Sequence, residues 1–205
     1  GRRVCNSASD SKGGAVGGTL LFDRGYLGLS TSEYRSTYGT VAEPTVTIGM
    51  LRRHHVMEGL LREVAAFQDV KLQLGHTNYT HTEFEGSDAG TRFDNKGYDL
   101  RLEARQRALR MGEDLLLEGI VGFQREQNNM QAIGDERFLP PSRTQSTGVF
   151  TFQALKTNWG QLSAGARAEN VEIQSFEAIG PNDENSAQSL KFKPMSFALG
   201  AMRNL

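Results

Sequence analysis

Cysteine, proline, a charge excess and long apolar runs are all scarce in this chain of 205 residues. The one thiol, Cys5, excludes an internal disulfide and any thiolate metal cluster. A formal net charge of -1, from 23 basic and 24 acidic residues, lacks the basic excess of a nucleic-acid binder, so no nucleic-acid partner is expected. No apolar run approaches the roughly 18 residues of a spanning helix, which leaves strands as the only route across a bilayer. Bond-breaking machinery is missing too. Glu169 and Glu172 fall on opposite faces of a strand, no serine sits in a nucleophile elbow, and the glycines lack phosphate-loop spacing. The chain is therefore read as a non-enzyme that requires no cofactor. It also lacks an initiator methionine and a signal-like start, so an export signal is expected outside this sequence, which reads as an excised piece.

What is present is alternation. Tyr98, Leu100, Leu102 and Ala104 interleave with Asp99, Arg101, Glu103 and Arg105, and the dyad returns as Leu162, Ala164, Ala166 and Ala168 against Ser163, Gly165, Arg167 and Glu169. Such a strand offers one oily and one wet face. A soluble sandwich buries the oily face in its own core, whereas a transmembrane barrel turns it to lipid and keeps charge in the lumen. Overall composition does not choose, because a hydrophobic share of 38% and a mean hydropathy of -0.47 suit a globular domain and a barrel with polar lumen and loops alike.

Twenty-three glycines punctuate nine runs, near 13–22, 25–36, 45–63, 70–85, 97–108, 113–128, 145–156, 161–174 and 190–205, mostly longer than ordinary globular strands. Even Met50 to Ala66, with Met57, Leu60, Leu61 and Val64 at helical spacing, reads as strand because Gly49 and Gly59 interrupt it. The predicted fold is all-β: an antiparallel up-and-down meander forming part of a transmembrane barrel over 13–205, after an ill-defined segment 1–12. Short connections at Asp23-Arg24-Gly25, Met111-Gly112 and Thr157 to Gly160 are expected to alternate with long ones at Thr37 to Pro44, Gly86 to Lys96, Asp135 to Thr144 and Ser175 to Ser189. Outer-membrane barrels show this difference between their two rims. Tyr26, Tyr34, Tyr98, Phe150 and Phe152 are expected on the lipid-facing parity or near the rims, as an interfacial belt, with His76 and Arg125 near a rim.

The ordered motifs carry a family likeness. Gly25-Tyr26-Leu27-Gly28-Leu29-Ser30, Tyr34 to Gly39, Leu72 to Gly86, Asn95-Lys96-Gly97-Tyr98, Ala132 to Pro141, Gly165-Ala166-Arg167-Ala168-Glu169 and Ser196 to Ala201 together resemble the barrel of TonB-dependent outer-membrane receptors, most closely the zinc-uptake subgroup. The likeness runs from about Gly13 onward. It implies a bacterial outer-membrane transporter whose plug and other strands lie outside this sequence, in a barrel of about 22 strands. It also implies coupling to the TonB energy-transducing protein, contact with outer-membrane lipid, and a metal ion such as zinc, or a metal chelate, as cargo. Nine strands is odd where bacterial single-chain barrels are even, so a wall segment with two unpaired edges is expected.

The best ligand constellation is Tyr79, His81, Glu83 and Glu85, which alternation places on the lumen face of one strand, with Asp88 and Asp94 following in the next loop. His54 is a second candidate, pointing inward, while His55 points out to the belt. Asp99, Arg101, Glu103, Arg105, Arg167 and Glu169 are expected to line the lumen. The rival readings are a passive or adhesion-type outer-membrane barrel and a soluble antiparallel β protein that binds a ligand in its mouth.

Overall fold

The computed structural model describes residues 4–134, 139–176 and 188–203. It is one antiparallel meander: β1 (Ser9–Phe22), β2 (Gly25–Thr40), β3 (Glu43–Val64), β4 (Phe67–Glu85), β5 (Asp88–Gln106), β6 (Leu109–Arg110), β7 (Leu116–Ile133), β8 (Ser142–Lys156), β9 (Gly160–Ser175), β10 (Gln188–Phe192) and β11 (Met195–Arg203). Each long strand pairs with its sequence neighbours, and the sheet stays open between β1 and the β10–β11 edge. Short β6 pairs with the start of β7. Strands β10 and β11 lie in line along β9, separated at Lys193-Pro194. Pro194 has no N–H to offer the ladder, and its carbonyl instead accepts from Glu169 N at 3.0 Å. The expected ninth strand is thus one strand broken by a proline.

Register turns the alternation of single strands into two faces of a whole sheet, because directly paired residues point the same way. One ladder row reads Leu20, Leu27, Gly59, Leu72, Leu102, Phe123, Val149, Ala168 and Met195. The adjacent row reads Thr19, Gly28, Glu58, Gln73, Arg101, Gln124, Gly148 and Glu169. The first row is apolar throughout, and the second is polar or glycine.

Among the described residues no second layer covers the apolar face. Leu199 is 90% exposed and Phe197 74%, and no large side chain is fully buried. Phe93, Ala132, Thr91 and Ser36 are buried toward one end of the strands and Ala154 at the other, and they form no sandwich core.

The two rims differ. At one, the turns at 23–24, 65–66 and 157–159 lie close to the apolar rows, and Arg24 steadies a neighbouring turn by donating to the carbonyls of Arg62 (3.1 Å) and Glu63 (2.5 Å). At the other, β4 runs on from Thr77 to Glu85, roughly 30 Å at about 3.3 Å per residue. There the outward side chains turn polar as well, with Asn78, Thr80 and Thr82 following Leu72, Leu74 and His76.

Three expectations need correction. The connections expected at Thr37 to Pro44 and Gly86 to Lys96 are strands closed by two-residue turns, Val41-Ala42 and Gly86-Ser87, so strict alternation of loop length fails in this half. Gly86 supplies the positive φ of 62° that such a turn demands, whereas Gly39, Gly90 and Gly97 lie inside strands. Gly39 leaves room for Asn6, whose Nδ2 reaches the carbonyls of Thr40, Glu43 and Val46 at 3.0, 2.9 and 2.6 Å. The long connections expected at Asp135 to Thr144 and Ser175 to Ser189 lie partly outside the described residues, although β8 already begins at Ser142. Finally, of the five belt aromatics only Tyr98 is on the apolar face. Tyr26, Tyr34, Phe150 and Phe152 share the parity of the polar row, because their ladder partners include Lys71 through Leu60, Arg52, Arg167 and Arg105 through Ile120.

Candidate functional site

On the polar face beyond the apolar rows, β4 presents Tyr79, His81, Glu83 and Glu85 in alternation, as expected. The register sets His81 between Met50 on β3 and Phe93 on β5, and Tyr79 between Arg52 and Asn95. The His81 ring stacks on Phe93, with centroids 4.6 Å apart and planes at 25°, and meets the Tyr79 ring edge-on at 5.6 Å. Its Nδ1 lies 3.1 Å from the Tyr79 hydroxyl. Burial holds the His81 imidazole below its ordinary pKa against the opposing pull of the Glu83 carboxylate. It is therefore neutral at pH 7, with one ring nitrogen available as an acceptor or ligand. Burial likewise raises the Tyr79 phenol, with Tyr38 adding to it.

The carboxylates do not gather around this histidine. Among the described residues no three His, Cys, Asp or Glu side chains converge as a metal site. Glu85 and Asp88 face each other across the exposed Gly86-Ser87 turn. Asp94, expected to join them, lies on the opposite face of the sheet opposite Thr80. Burial opposes its ionisation, but hydrogen bonds from Thr80 (2.7 Å), Arg92 (3.0 Å) and Gln131 (3.4 Å) outweigh it and hold the carboxyl below its usual range. His54 does face the polar side, its Nδ1 2.7 Å from Thr77 Oγ1, while His55 faces out and contacts Thr31. The outcome is a half-buried shelf of aromatic rings, histidines and Arg52, with Asn95 Oδ1 buried and lacking a hydrogen-bond partner. Such a surface can stack on a planar, anionic ligand, donate to it, and offer one or two imidazole nitrogens.

A second polar constellation lies level with the apolar rows. Arg101 donates to Glu103 and, at 3.0 Å, to Gln124 Oε1, and Arg167 donates to the same oxygen at 3.1 Å and to Glu169 at 2.7 Å. Between them lies the Phe150 ring, 4.5 Å from Arg101 Cζ and 5.6 Å from Arg167 Cζ. Gly122 makes room for this ring, since a Cβ there would stand 2.2 Å from Phe150 Cζ. Arg105 reaches Asp69 at 3.7 Å, and Asp99 lies over Gly75. Among the described residues these charges, paired except for Asp99, form a wet lining.

Phe93 and Phe150 were missed as site residues for different reasons. Phe93 fell in a presumed loop, although extending the alternation back through Asn95 would have put it on the His81 face. Phe150 looked like a belt ring, and only the register from Gly122 to Arg167 gives its side.

No protein-family model matches the sequence, and no curated protein matches it significantly. Solved structures do match. The copper transporter OprC superposes with a TM-score of 0.74 over 98% of this chain at 13% identity, and 35% of its own length is covered. A double mutant of the Serratia marcescens haemophore receptor HasR, in complex with its haemophore HasA and haem, gives 0.67 over 93% of this chain at 12% identity, with 32% of that chain covered. At these identities the likeness shows the fold: an all-β antiparallel meander that recurs within much larger β-barrel proteins. The chain spans about a third of the length of each.

Proposed function

We propose that this chain is a wall segment of a TonB-dependent outer-membrane transporter, facing lipid with its apolar rows and a plugged lumen with its polar rows. The observation that carries the reading is the superposition of nearly the whole chain on one third of a copper transporter. The apolar face supports it, since an antiparallel sheet with one oily side and, among the described residues, no second layer over it suits lipid on that side. The ordered sequence motifs point the same way. On this reading the segment performs no bond chemistry. The long strand ends bearing Tyr79, His81 and Arg52 stand outside the bilayer and touch cargo first.

The cargo is proposed to contain a metal. Without a convergent set of three donors among the described residues, a chelate that stacks on Tyr79, His81 and Phe93 suits the shelf better than a bare zinc ion. Uptake by cells expressing the full-length protein tests the reading. Copper, zinc and haem are supplied separately, with and without the TonB energy-coupling protein. Accumulation of one of them that stops when coupling is deleted is expected, whereas uptake independent of coupling indicates a passive pore. Isothermal titration of the intact protein then tests the shelf: His81→Ala and Glu83→Ala should weaken binding of the transported species, and unchanged affinity removes both residues from the site.

A further inference from the structure

A groove of about 970 Å³ lies mainly on the apolar face across β1 to β7, away from the His81 shelf. Its floor is Leu29, Met57, Leu74 and Leu100, one ladder row that ends at Arg125. Its upper border is the next outward row, His55, His76 and Tyr98. The His76 ring stacks on Tyr98 at 4.4 Å and on His55 at 6.2 Å, and His76 Nδ1 is 3.0 Å from the Gly97 carbonyl. Polar tips above aromatic bodies mark the level where the apolar zone meets water. Arg125 sits one outward position inside that border and has no ion pair or side-chain hydrogen bond among the described residues. Two outward positions above Leu100, Lys96 also has no ion pair among the described residues, roughly 13 Å from Arg125 along the ladder. By contrast, Arg53 at the height of Lys96 has a carboxylate partner, Glu33 at 2.8 Å, which it shares with Arg35. An unpaired guanidinium beside an apolar groove is costly on a lipid face unless an anion meets it at the interface.

We propose that this groove binds a phosphate-bearing membrane lipid, its headgroup on Arg125 with Lys96 above and an acyl chain between Met57, Leu74 and Leu100. Charge complementarity selects the occupant: two unpartnered cations stand over an oily floor, and a phosphate monoester above a hydrocarbon chain satisfies both. The rings of His76 and Tyr98, in the row between Arg125 and Lys96, flank the headgroup. The inference rests on the wall reading above but concerns a different face and a different ligand.

The test uses the full-length protein, stripped of lipid in detergent and titrated in native mass spectrometry with dioleoyl phosphatidate, dioleoylglycerol or inorganic phosphate. Phosphatidate should bind about tenfold more tightly than dioleoylglycerol, and inorganic phosphate should not displace it. Arg125→Gln should abolish that preference, while Arg110→Gln on the opposite rim should leave it intact. Leu74→Trp, which fills the groove without altering charge, should lower phosphatidate occupancy. Equal binding of the two lipids, an unaltered preference in Arg125→Gln, displacement by free phosphate, or a second copy of the chain on this face overturns the site. Retention of neither lipid overturns the site as well, whereas recovery of the full-length protein from the soluble fraction without detergent overturns the wall reading itself.

Discussion

Replacing Phe150 by leucine is expected to loosen the wall at one definable point. The ring lies between Arg101, 4.5 Å from its centroid, and Arg167, 5.6 Å away, and both guanidinium groups are independently held by Gln124 and by a carboxylate on their own strand. Leucine keeps an apolar cover over Gly122 and deletes the π-face. At about 0.5–1 kcal/mol per cation–π contact, the loss is about 1–2 kcal/mol, the larger part from the closer Arg101. A double-mutant cycle isolates that share. Phe150→Leu is combined with Arg101→Met and, separately, with Arg167→Met, methionine preserving the packing of each stem. Equilibrium chemical unfolding of the intact protein in lipid vesicles should give a coupling of about 0.5–1 kcal/mol with Arg101 and a smaller one with Arg167. Couplings below about 0.3 kcal/mol for both pairs, or the reverse order, would refute the sandwich as a stabilising unit.

Two further substitutions separate the faces. Leu72→Arg puts a charge in a wholly apolar row and should cost about 2–4 kcal/mol in vesicles, whereas Gln73→Arg, one residue on and beside Glu58, should change stability by less than about 1 kcal/mol. Equal costs would mean that both faces see the same medium. His81 gives a pH test. Its pKa is depressed in the folded protein, so the unfolded chain binds more protons below the ordinary histidine range, and its contribution to stability is lost as pH falls through that range. Unfolding midpoints measured from pH 7.5 to 5 should fall less steeply in His81→Gln than in the parent, and parallel slopes would contradict burial of the imidazole.

Much of this architecture is legible without coordinates because one signal repeats. Tyr98 to Arg105 and Leu162 to Glu169 each declare two faces, and the register adds only that the faces are continuous across nine strand lines. What failed to read was anything set by pairing between strands. Glycines at 39 and 90 looked like loop punctuation because a strand interior tolerates them best when a neighbour uses the space, as Asn6 does beside Gly39. The belt rings were misassigned because an aromatic residue carries no sign of its own. Tyr26 turns to the wet side because its hydroxyl meets Glu58 there, and Phe150 because two arginines lie over it. For the candidate site, alternation along β4 was enough to align Tyr79, His81 and Glu83. The Phe93 stack, and the removal of Asp94 to the other face, both depend on the exact pairing of β4 with β5.

The central claim is that alternate residues of these strands face lipid and lumen, and a nitroxide scan of positions 98 to 105 in the intact protein, reconstituted in lipid bilayers, tests it most directly. Collision with oxygen, which concentrates in the bilayer, should be high at Tyr98, Leu100, Leu102 and Ala104 and low at Asp99, Arg101, Glu103 and Arg105, a period of two in step with the ladder. Uniform accessibility along the strand, or the opposite phase, would contradict it.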